Sequence, residues 1–291
     1  MKSIELSDKT IFDKYFQEYP PEISEYTFTN LFMWRDFYKF QWIEIENSIL
    51  LVSYRDPLKL IVFPPIGINL NPMFKYIRQM AKDQNKSIQF ERIPSSMISI
   101  FKETFSNCEV REDRENWDYI YASENLRDLS GKELANERKK LNKFKNNNRW
   151  EYVDLTEKEI PECIKLQASW CGVRACDDNP VLHTEDLAIQ EIFKEWKTLR
   201  FIGGLIRIDG IIQAYTVGEP LNLSTLVIHV EKANSEITGL YQTINQQFAE
   251  RNANQFQFIN REQDLGIPNL RYAKENYHPI KMGKKYCIII S

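Results

Sequence analysis

The sequence predicts a mixed α/β protein in which one layered unit is built twice. Three observations support this. The same order of elements, hairpin, strand, helix, strand, helix, strand, occurs in each half of the chain. With 43% hydrophobic and 27% charged residues, the composition is typical of a soluble globular protein. The 291 residues exceed the roughly 100–200 of one typical domain. We therefore predict one domain over residues 1–125 and a second, with a basic connecting helix, over 126–291.

The first half begins with a predicted hairpin, because Glu46-Asn47-Ser48 separates two strand-like runs. A third strand ends at Pro64-Pro65, since proline cannot donate to a sheet. Proline also lies at the start of both predicted helices. The predicted strands are Phe40–Ile45, Ile49–Tyr54, Leu60–Phe63, Ser87–Glu91 and Trp117–Tyr121, and the helices are Pro72–Lys82 and Pro94–Phe105.

The second half repeats this order. Asp209-Gly210 favours the positive φ angles of a tight hairpin turn. The pattern predicts helices over Ser130–Lys145 and Glu159–Trp170 before this hairpin. The predicted strands are Arg200–Ile208, Ile211–Val217, Leu223–Glu231, Gln255–Asn260 and Tyr286–Ile290, and the later helices are Gly239–Arg251 and Pro268–Tyr277.

Four motifs carry a family resemblance. They are Tyr26-Thr-Phe-Thr-Asn-Leu-Phe-Met-Trp-Arg35, Glu137-Arg-Lys-Lys-Leu-Asn-Lys-Phe144, His229-Val-Glu-Lys-Ala233 with Tyr241 and Asn245 beyond it, and Asn260-Arg-Glu-Gln-Asp-Leu-Gly-Ile-Pro268 leading to Tyr277-His-Pro279. With them the chain resembles the C-terminal domain of lysylphosphatidylglycerol synthases, a tandem GNAT-like fold related to the Fem-type aminoacyltransferases. The resemblance implies two GNAT-like acyltransferase domains. It also implies a transferase that moves an aminoacyl group from aminoacyl-tRNA to an amine or hydroxyl, such as a phospholipid headgroup, without a bound cofactor.

The segment Asn234–Tyr241 departs from the pattern of the GNAT enzymes that use acyl-CoA. Those enzymes carry a glycine-rich turn whose N–H groups hold pyrophosphate. Here the turn has one glycine, Gly239, and an acid, Glu236. An acyl-CoA-dependent N-acetyltransferase is therefore the second hypothesis, and a non-catalytic binding module on the same fold is the third.

The predicted strand that ends at Glu231 carries the candidate catalytic residues. Side chains alternate along a strand, so His229 and Glu231 share one face. Glu231 lies at the carboxyl end, where open α/β sheets bind ligands. We predict that Glu231, or alternatively His229, deprotonates the attacking amine or hydroxyl. The structural alternatives are a semi-buried histidine with satisfied hydrogen bonds and a glutamate held in a salt bridge.

Polar residues follow the neighbouring strand and are the candidate substrate-binding group. Asn260 and Arg261 could position a carbonyl or stabilise an oxyanion. Glu262 and Asp264 could instead cap the helix that opens at Pro268. The last candidates are two bases of that helix, Arg271 and Lys274. Helical spacing places Leu270, Ala273 and Tyr277 on the core face, and Arg271, Lys274 and the later Lys285 off that face.

Positive charge is concentrated in the segment Leu126–Trp150. It holds eight basic and three acidic residues, a local net of +5, whereas the whole chain is −3. Local positive charge of this kind is typical of phosphate-facing surfaces. We predict that it contacts a tRNA acceptor end or an anionic phospholipid; the alternative is a solvated amphipathic helix. The candidate phosphate-binding residues are Lys132, Lys139, Lys140 and Lys143.

Metal, disulfide and membrane signals are weak in this sequence. The five cysteines are odd in number and form no C-x-x-C pair, so reduced thiols and no metal site are expected. No apolar run approaches the roughly 20 residues of a transmembrane helix. The first 13 residues also lack a signal-peptide core. These observations predict a cytoplasmic protein, with peripheral membrane association left open.

Overall fold

The computed structural model describes residues 1–68 and 70–290. Among them the fold alternates helices and strands in the mixed α/β pattern that the sequence predicts. The helices are α1 Lys9–Glu18, α2 Phe28–Met33, α3 Arg35–Tyr38, α4 Leu70–Gln84, α5 Ile98–Thr104, α6 Ser123–Asp128, α7 Ala135–Asn147, α8 Ile160–Arg174, α9 Pro180–Lys194, α10 Trp196–Leu199, α11 Leu240–Asn252 and α12 Pro268–Glu275.

The strands form two mixed sheets. They are β1 Lys2–Ser3, β2 Phe40–Ile45, β3 Ser48–Ser53, β4 Lys59–Val62, β5 Ile66–Gly67, β6 Ser87–Pro94, β7 Cys108–Glu112, β8 Asp118–Ala122, β9 Trp150–Asp154, β10 Ile202–Ile208, β11 Ile211–Pro220, β12 Thr225–Ala233, β13 Phe258–Asn260, β14 Lys281–Gly283 and β15 Lys285–Ile290.

The first sheet has the order β1-β2-β3-β4-β6-β15-β7, with β5 paired to β3. Strands β4 and β6 run parallel, and β15 pairs antiparallel with both β6 and β7. Phe74 of α4 and Phe101 of α5 pack edge-on against Phe90 of β6, at centroid distances of 6.1 and 4.7 Å. These aromatic contacts bury one face of the sheet under two helices.

The second sheet has the order β14-β8-β13-β12-β11-β10-β9. Its β10–β11 hairpin turns at Asp209-Gly210, and both residues have positive φ, as the sequence predicts. Strands β12 and β13 are its parallel neighbours among the described pairings. Helix α11 packs Leu240 and Ile244 into the core beside Ile206 and Ala214. This parallel pair positions the candidate site.

Two strands lie in the opposite sheet from the one expected. The strand predicted at Trp117–Tyr121 is β8, which lies in the second sheet, and the strand predicted at Tyr286–Ile290 is β15, which lies in the first. The chain accordingly forms two compact units that are not contiguous in sequence. Unit 1 comprises residues 1–118, 263–266 and Gly283 onward; unit 2 comprises 119–262 and 267–282. These ranges differ from the predicted division at 125/126 because strand pairing, rather than sequence order, defines the units.

Several elements lie where no element was predicted. Strands β7 and β9 are edge strands with mostly exposed or half-exposed side chains, so they lack a strong apolar signal. For helix α9 the sequence does contain a start signal, Asn179-Pro180. Asn179 caps it by accepting from the N–H groups of Val181 and Leu182, and Pro180 occupies its first turn.

A cluster of buried charges lies in the core of unit 1. The ammonium of Lys285, fully buried, lies 2.5 Å from Glu25 Oε2 and 2.7 Å from Asp118 Oδ1. Gln263 donates to Ser24 Oγ at 2.8 Å and to Asp118 Oδ1 at 3.1 Å. Asp118, Gln263 and Lys285 each lie at or near a point where the chain enters or leaves unit 1. The cluster therefore joins three separate stretches of chain.

Cys171 and Cys176 form a disulfide at the end of α8, which corrects the expectation of reduced thiols throughout. Their spacing along the chain carries no C-x-x-C signal, but the left-handed conformation of Ala175 ends the helix and brings the two sulfurs together. Within residues 1–68 and 70–290, His, Cys, Asp and Glu side chains form no group of three or more arranged to hold a metal ion. Over the same residues, no helix combines the length and hydrophobicity needed to cross a bilayer.

Gly218 permits a bulge in β11 beside β12, the strand that carries the candidate catalytic residues. Its replacement is a first test of the fold. A Cβ at Gly218 would overlap the carbonyl oxygen of Val227, where β11 and β12 shift register. We expect Gly218→Ala to lower the free energy of unfolding by about 1–3 kcal/mol, because overpacking forces the backbone to move. Gly172→Ala is the control, since nothing lies within 4 Å of that Cβ. In helix α8 it should raise stability by about 0.5–1 kcal/mol. Denaturant unfolding measures both; equal effects would contradict the packing at Gly218.

Candidate active site

The candidate site lies where β12 and β13 separate. The two strands pair in parallel from Thr225 opposite Phe258 to Val227 opposite Asn260. Strand β12 continues to Ala233, whereas β13 ends at Asn260. His229 and Glu231 therefore lie on a stretch of β12 that pairs with β11 on one side but no longer with β13.

Glu231 joins three elements through its carboxylate. Its Oε1 accepts from Arg261 Nη2 at 2.9 Å, and its Oε2 accepts from Asn245 Nδ2 of α11 at 3.0 Å. The side chains of Glu231 and Arg261 are only 11% and 14% exposed. The pair is thus shielded from water. Charge-assisted hydrogen bonds are stronger in such an interior setting than at a surface. Arg261 lies on the segment after β13, so the contact spans the gap between the separating strands.

Two aromatic rings enclose the Arg261 guanidinium. Its Cζ lies 4.8 Å from the ring centroid of Tyr277 and 5.7 Å from that of Tyr121. Burial opposes the charged form, but the Glu231 carboxylate and the neighbouring tyrosines raise the pKa of Arg261 above its ordinary value. The guanidinium is therefore a fixed positive charge held by cation–π and ion-pair contacts.

Two buried polar atoms beside Glu231 have no hydrogen-bond partner among the described residues. They are Nη1 of Arg261, a donor, and Oδ1 of Asn245, an acceptor. Leaving a buried polar atom unsatisfied costs about 1–3 kcal/mol, and native proteins rarely accept it without a reason. Arg261 holds Glu231 through its other terminal nitrogen, Nη2, and Asn245 holds it through its amide nitrogen, so a free donor and a free acceptor flank one carboxylate. This arrangement suits a ligand that offers both a carbonyl oxygen and an N–H or O–H group.

His229 lies between two carboxylates. Its Nε2 is 2.9 Å from Glu219 Oε1 and its Nδ1 is 2.8 Å from Glu262 Oε1. Burial opposes the charged ring, but the hydrogen bonds with Glu219 and Glu262 raise the pKa of His229 to about 9. At neutral pH the ring is an imidazolium that donates from both nitrogens. The geometry thus favours a charged His229 that is hydrogen-bonded on both sides, rather than a neutral His229 that acts as the base in place of Glu231.

The predicted substrate-binding residues separate into different settings. Asn260 Oδ1 accepts from the backbone N–H of Glu262 at 2.8 Å, which stabilises the turn after β13. Asp264 belongs to unit 1, where it pairs with Arg114 at 2.9 Å and accepts from the N–H of Gly266. Arg261 reaches Glu231 and Glu262 reaches His229, so these two lie in the site. Two site residues were not predicted from the strand pattern: Asn245, which carried only the family resemblance, and Glu219, which no sequence signal singled out.

Helix α12 is oriented differently from the expectation. Lys274 was predicted off the core face, yet it is buried and its ammonium donates to the backbone oxygen of Arg261 at 2.6 Å. Ala273, predicted in the core, is exposed. Lys274 can be buried because it finds a backbone acceptor and the ring of Tyr119, 5.8 Å away. Arg271 is half-buried.

Helix α7 carries the predicted basic surface. Leu134 just before it, and Leu141 and Phe144 within it, are buried on the opposite side. One base, Lys140, pairs with the buried Glu137 at 2.8 Å. Binding of phosphate by this surface stays a prediction. The four candidate lysines are all exposed: Lys132, Lys139, Lys140 and Lys143.

The turn before α11 uses its N–H groups internally. Glu236 donates to Asn234 Oδ1, Ile237 to the oxygen of Asn234, and Leu240 to the oxygen of Ile237. A Cβ at Gly239 would overlap the backbone oxygen of Lys140, so this glycine serves the packing of the turn against α7. The N–H groups of Glu236, Ile237 and Leu240 are therefore already used within the turn.

Comparisons with solved structures define the class of fold. A conserved protein of unknown function from Bacteroides thetaiotaomicron VPI-5482 is 31% identical, with a TM-score of 0.94 over 100% of this chain and 99% of that one. L-PGS from Bacillus licheniformis is 12% identical, with a TM-score of 0.72 over 99% of this chain and 93% of that one. FemX is 8% identical, with a TM-score of 0.61 over 98% of this chain and 97% of that one. Together with a match to a tandem GNAT protein from the clavulanic acid biosynthesis pathway, these neighbours confirm the predicted fold class.

The family follows from the sequence itself. The model of the family described as phosphatidylglycerol lysyltransferase, C-terminal, matches residues 16–289. The chain belongs to this family, as its motifs predicted. A comparison with curated proteins finds no match.

Proposed function

We propose that this protein is an acyltransferase that moves an aminoacyl group from aminoacyl-tRNA to an amine or hydroxyl, such as that of a phospholipid headgroup. Membership of the family supports an acyltransferase in general. The observation that carries the finer proposal is the free donor of Arg261 and the free acceptor of Asn245 on either side of Glu231.

The chemistry assigns one role to each of these groups. The acceptor nitrogen or oxygen attacks the ester carbonyl, and Asn245 Oδ1 orients its N–H or O–H. Arg261 Nη1 donates to the oxyanion that forms on the carbonyl oxygen. Glu231 accepts the proton, since each of its oxygens still has a free lone pair. When the oxyanion collapses, the new C–N or C–O bond remains and the ester C–O bond breaks. The proton held by Glu231 passes to the departing alkoxide oxygen, which leaves as a hydroxyl of the donor.

The surroundings favour a tRNA donor over acyl-CoA. Three N–H groups of the turn before α11 are used in internal hydrogen bonds, and the turn carries Glu236, which repels phosphate. Exposed lysines on and before α7 provide positive charge that suits a nucleic-acid backbone. An ester is also activated enough to need no metal ion for its cleavage.

The direct test offers the purified protein two kinds of donor. Labelled aminoacyl-tRNAs and labelled acetyl-CoA are each incubated with phosphatidylglycerol vesicles and with peptides carrying free amines. We expect label to move from aminoacyl-tRNA and not from acetyl-CoA. Transfer from acetyl-CoA alone would overturn the proposal in favour of an N-acetyltransferase. Binding of aminoacyl-tRNA without transfer to any acceptor would identify a binding module.

A further inference from the structure

We propose that His229 is a positioning residue, whose ring locks the turn after β13 and so fixes Arg261 against Glu231. The activity readout of this inference rests on the proposed function. Its structural readout, the state of the His229 ring and of the turn, does not.

The first observation is the way the gap between β12 and β13 is bridged. Backbone pairing stops at Val227 and Asn260. Beyond that point, side-chain contacts cross from β12 to the segment after β13: His229 to Glu262 at 2.8 Å, and Glu231 to Arg261 at 2.9 Å. The two contacts are adjacent, because Arg261 and Glu262 are consecutive and His229 and Glu231 share one face of β12. Loss of the His229–Glu262 contact must therefore loosen the Glu231–Arg261 contact.

The second observation is the backbone of Glu262. Its φ is 55°, in the left-handed region that a non-glycine residue seldom adopts. Such conformations persist where surrounding contacts hold them, and they cluster at functional sites. Here the contacts are the Asn260 side chain on the Glu262 N–H, the Tyr119 N–H on the Glu262 oxygen, and His229 on the Glu262 carboxylate.

The third observation is the anchoring of the ring from its other side. Nε2 contacts Glu219 of β11, at the bulge beside Gly218. The charged groups described around the ring are thus Glu219 from β11 and Glu262 from the segment after β13. Only an imidazolium donates to both at once. A neutral ring would leave one carboxylate facing a lone pair, and the turn would lose one of its supports.

The ring should therefore control the pH dependence of both activity and stability. The folded-state pKa of His229, about 9, lies above the roughly 6.5 of an unfolded histidine. Its contribution to stability is complete below about pH 6.5 and is lost as the pH rises through about 9. We expect transfer activity to fall with an apparent pKa near 9, and His229→Gln to remove that alkaline limb.

The experiment uses the full chain labelled with ¹⁵N in its three histidines. Imidazole nitrogen signals are followed from pH 5 to 10, and His229→Gln assigns the buried ring. We expect the His229 signals to stay those of an imidazolium at pH 7. A neutral His229 at that pH would overturn the proposal whether or not transfer activity has been found.

Kinetics supply the second arm. His229→Gln should lower the transfer rate at pH 7 by about 10²-fold, as misplacement of a reacting group does. His278→Gln, on a side chain that is half exposed, is the matched control and should leave rate and pH profile unchanged. A His229→Gln protein with the wild-type rate and alkaline limb would refute the positioning role. If neither protein transfers any group, the proposed function fails, and the imidazole titration still decides the state of the ring.

Discussion

Replacing Lys285 with methionine should lower the free energy of unfolding by about 3–5 kcal/mol, because breaking a buried ion pair leaves uncompensated charge in the core. The Lys285 ammonium is fully buried between Glu25 and Asp118. Burial raises the pKa of Glu25 above its ordinary value even though Lys285 opposes that shift, so the site tolerates negative charge poorly. Methionine keeps the volume of the stem but removes the ammonium that balances two carboxylates.

Lys284→Met is the matched control for this experiment. Lys284 is the preceding residue, and it is exposed, with its ammonium 4.8 Å from the Trp117 ring. Its replacement should change stability by less than about 1 kcal/mol. Urea unfolding of both variants gives the comparison. Similar losses for the two lysines would mean that the buried cluster does not hold unit 1 together.

Replacing Arg261 with lysine should reduce transfer by about 10²–10³-fold, the cost of removing one donor to an oxyanion. Lysine keeps the positive charge beside Glu231. It cannot hold Glu231 with one nitrogen and offer a second planar donor, as the guanidinium does. The loss should appear in kcat rather than in KM, because the donor acts on charge that develops in the transition state.

Arg251→Lys provides the control for the arginine change, since Arg251 lies on α11 with a side chain 58% exposed. It should keep wild-type kinetics. Thermal unfolding checks that the Arg261→Lys protein remains folded. A folded Arg261→Lys protein with an unchanged kcat would remove Arg261 from the oxyanion role, and the mechanism would then lack its electrophilic group.

The order of elements was predictable because each has a local cause. Asp209-Gly210 predicts its hairpin, and the proline at 268 predicts the start of α12. Strand partners have no such local cause. The pattern of 286–290 predicts a buried strand, but a strand of this kind could pair equally well in any sheet that has room for it. Its place between β6 and β7 is decided by contacts with residues about 170–200 positions earlier.

The site was predictable in part for the same reason. Alternation along β12 placed His229 and Glu231 on one face, and the strand order brought Arg261 near them. Their charge states depend on partners that the sequence does not place together. Glu219 is ten residues from His229 and Glu262 is thirty-three away, yet both contact its ring. Lysine is seldom buried without a partner, so the sequence suggests surface positions for Lys274 and Lys285. Both are buried, because they find partners that are distant in sequence.

The location of β15 has a consequence for how this protein is made. During translation residues 1–118 emerge first, but β6 and β7 are then two edges with no strand between them. Unpaired edges are the surfaces at which nascent chains associate with one another. The N-terminal sheet must wait, with its centre open, until residues 285–290 have been synthesised. Ribosome-bound chains truncated before Lys285 should therefore engage chaperones, and release of the longer chain should end that engagement.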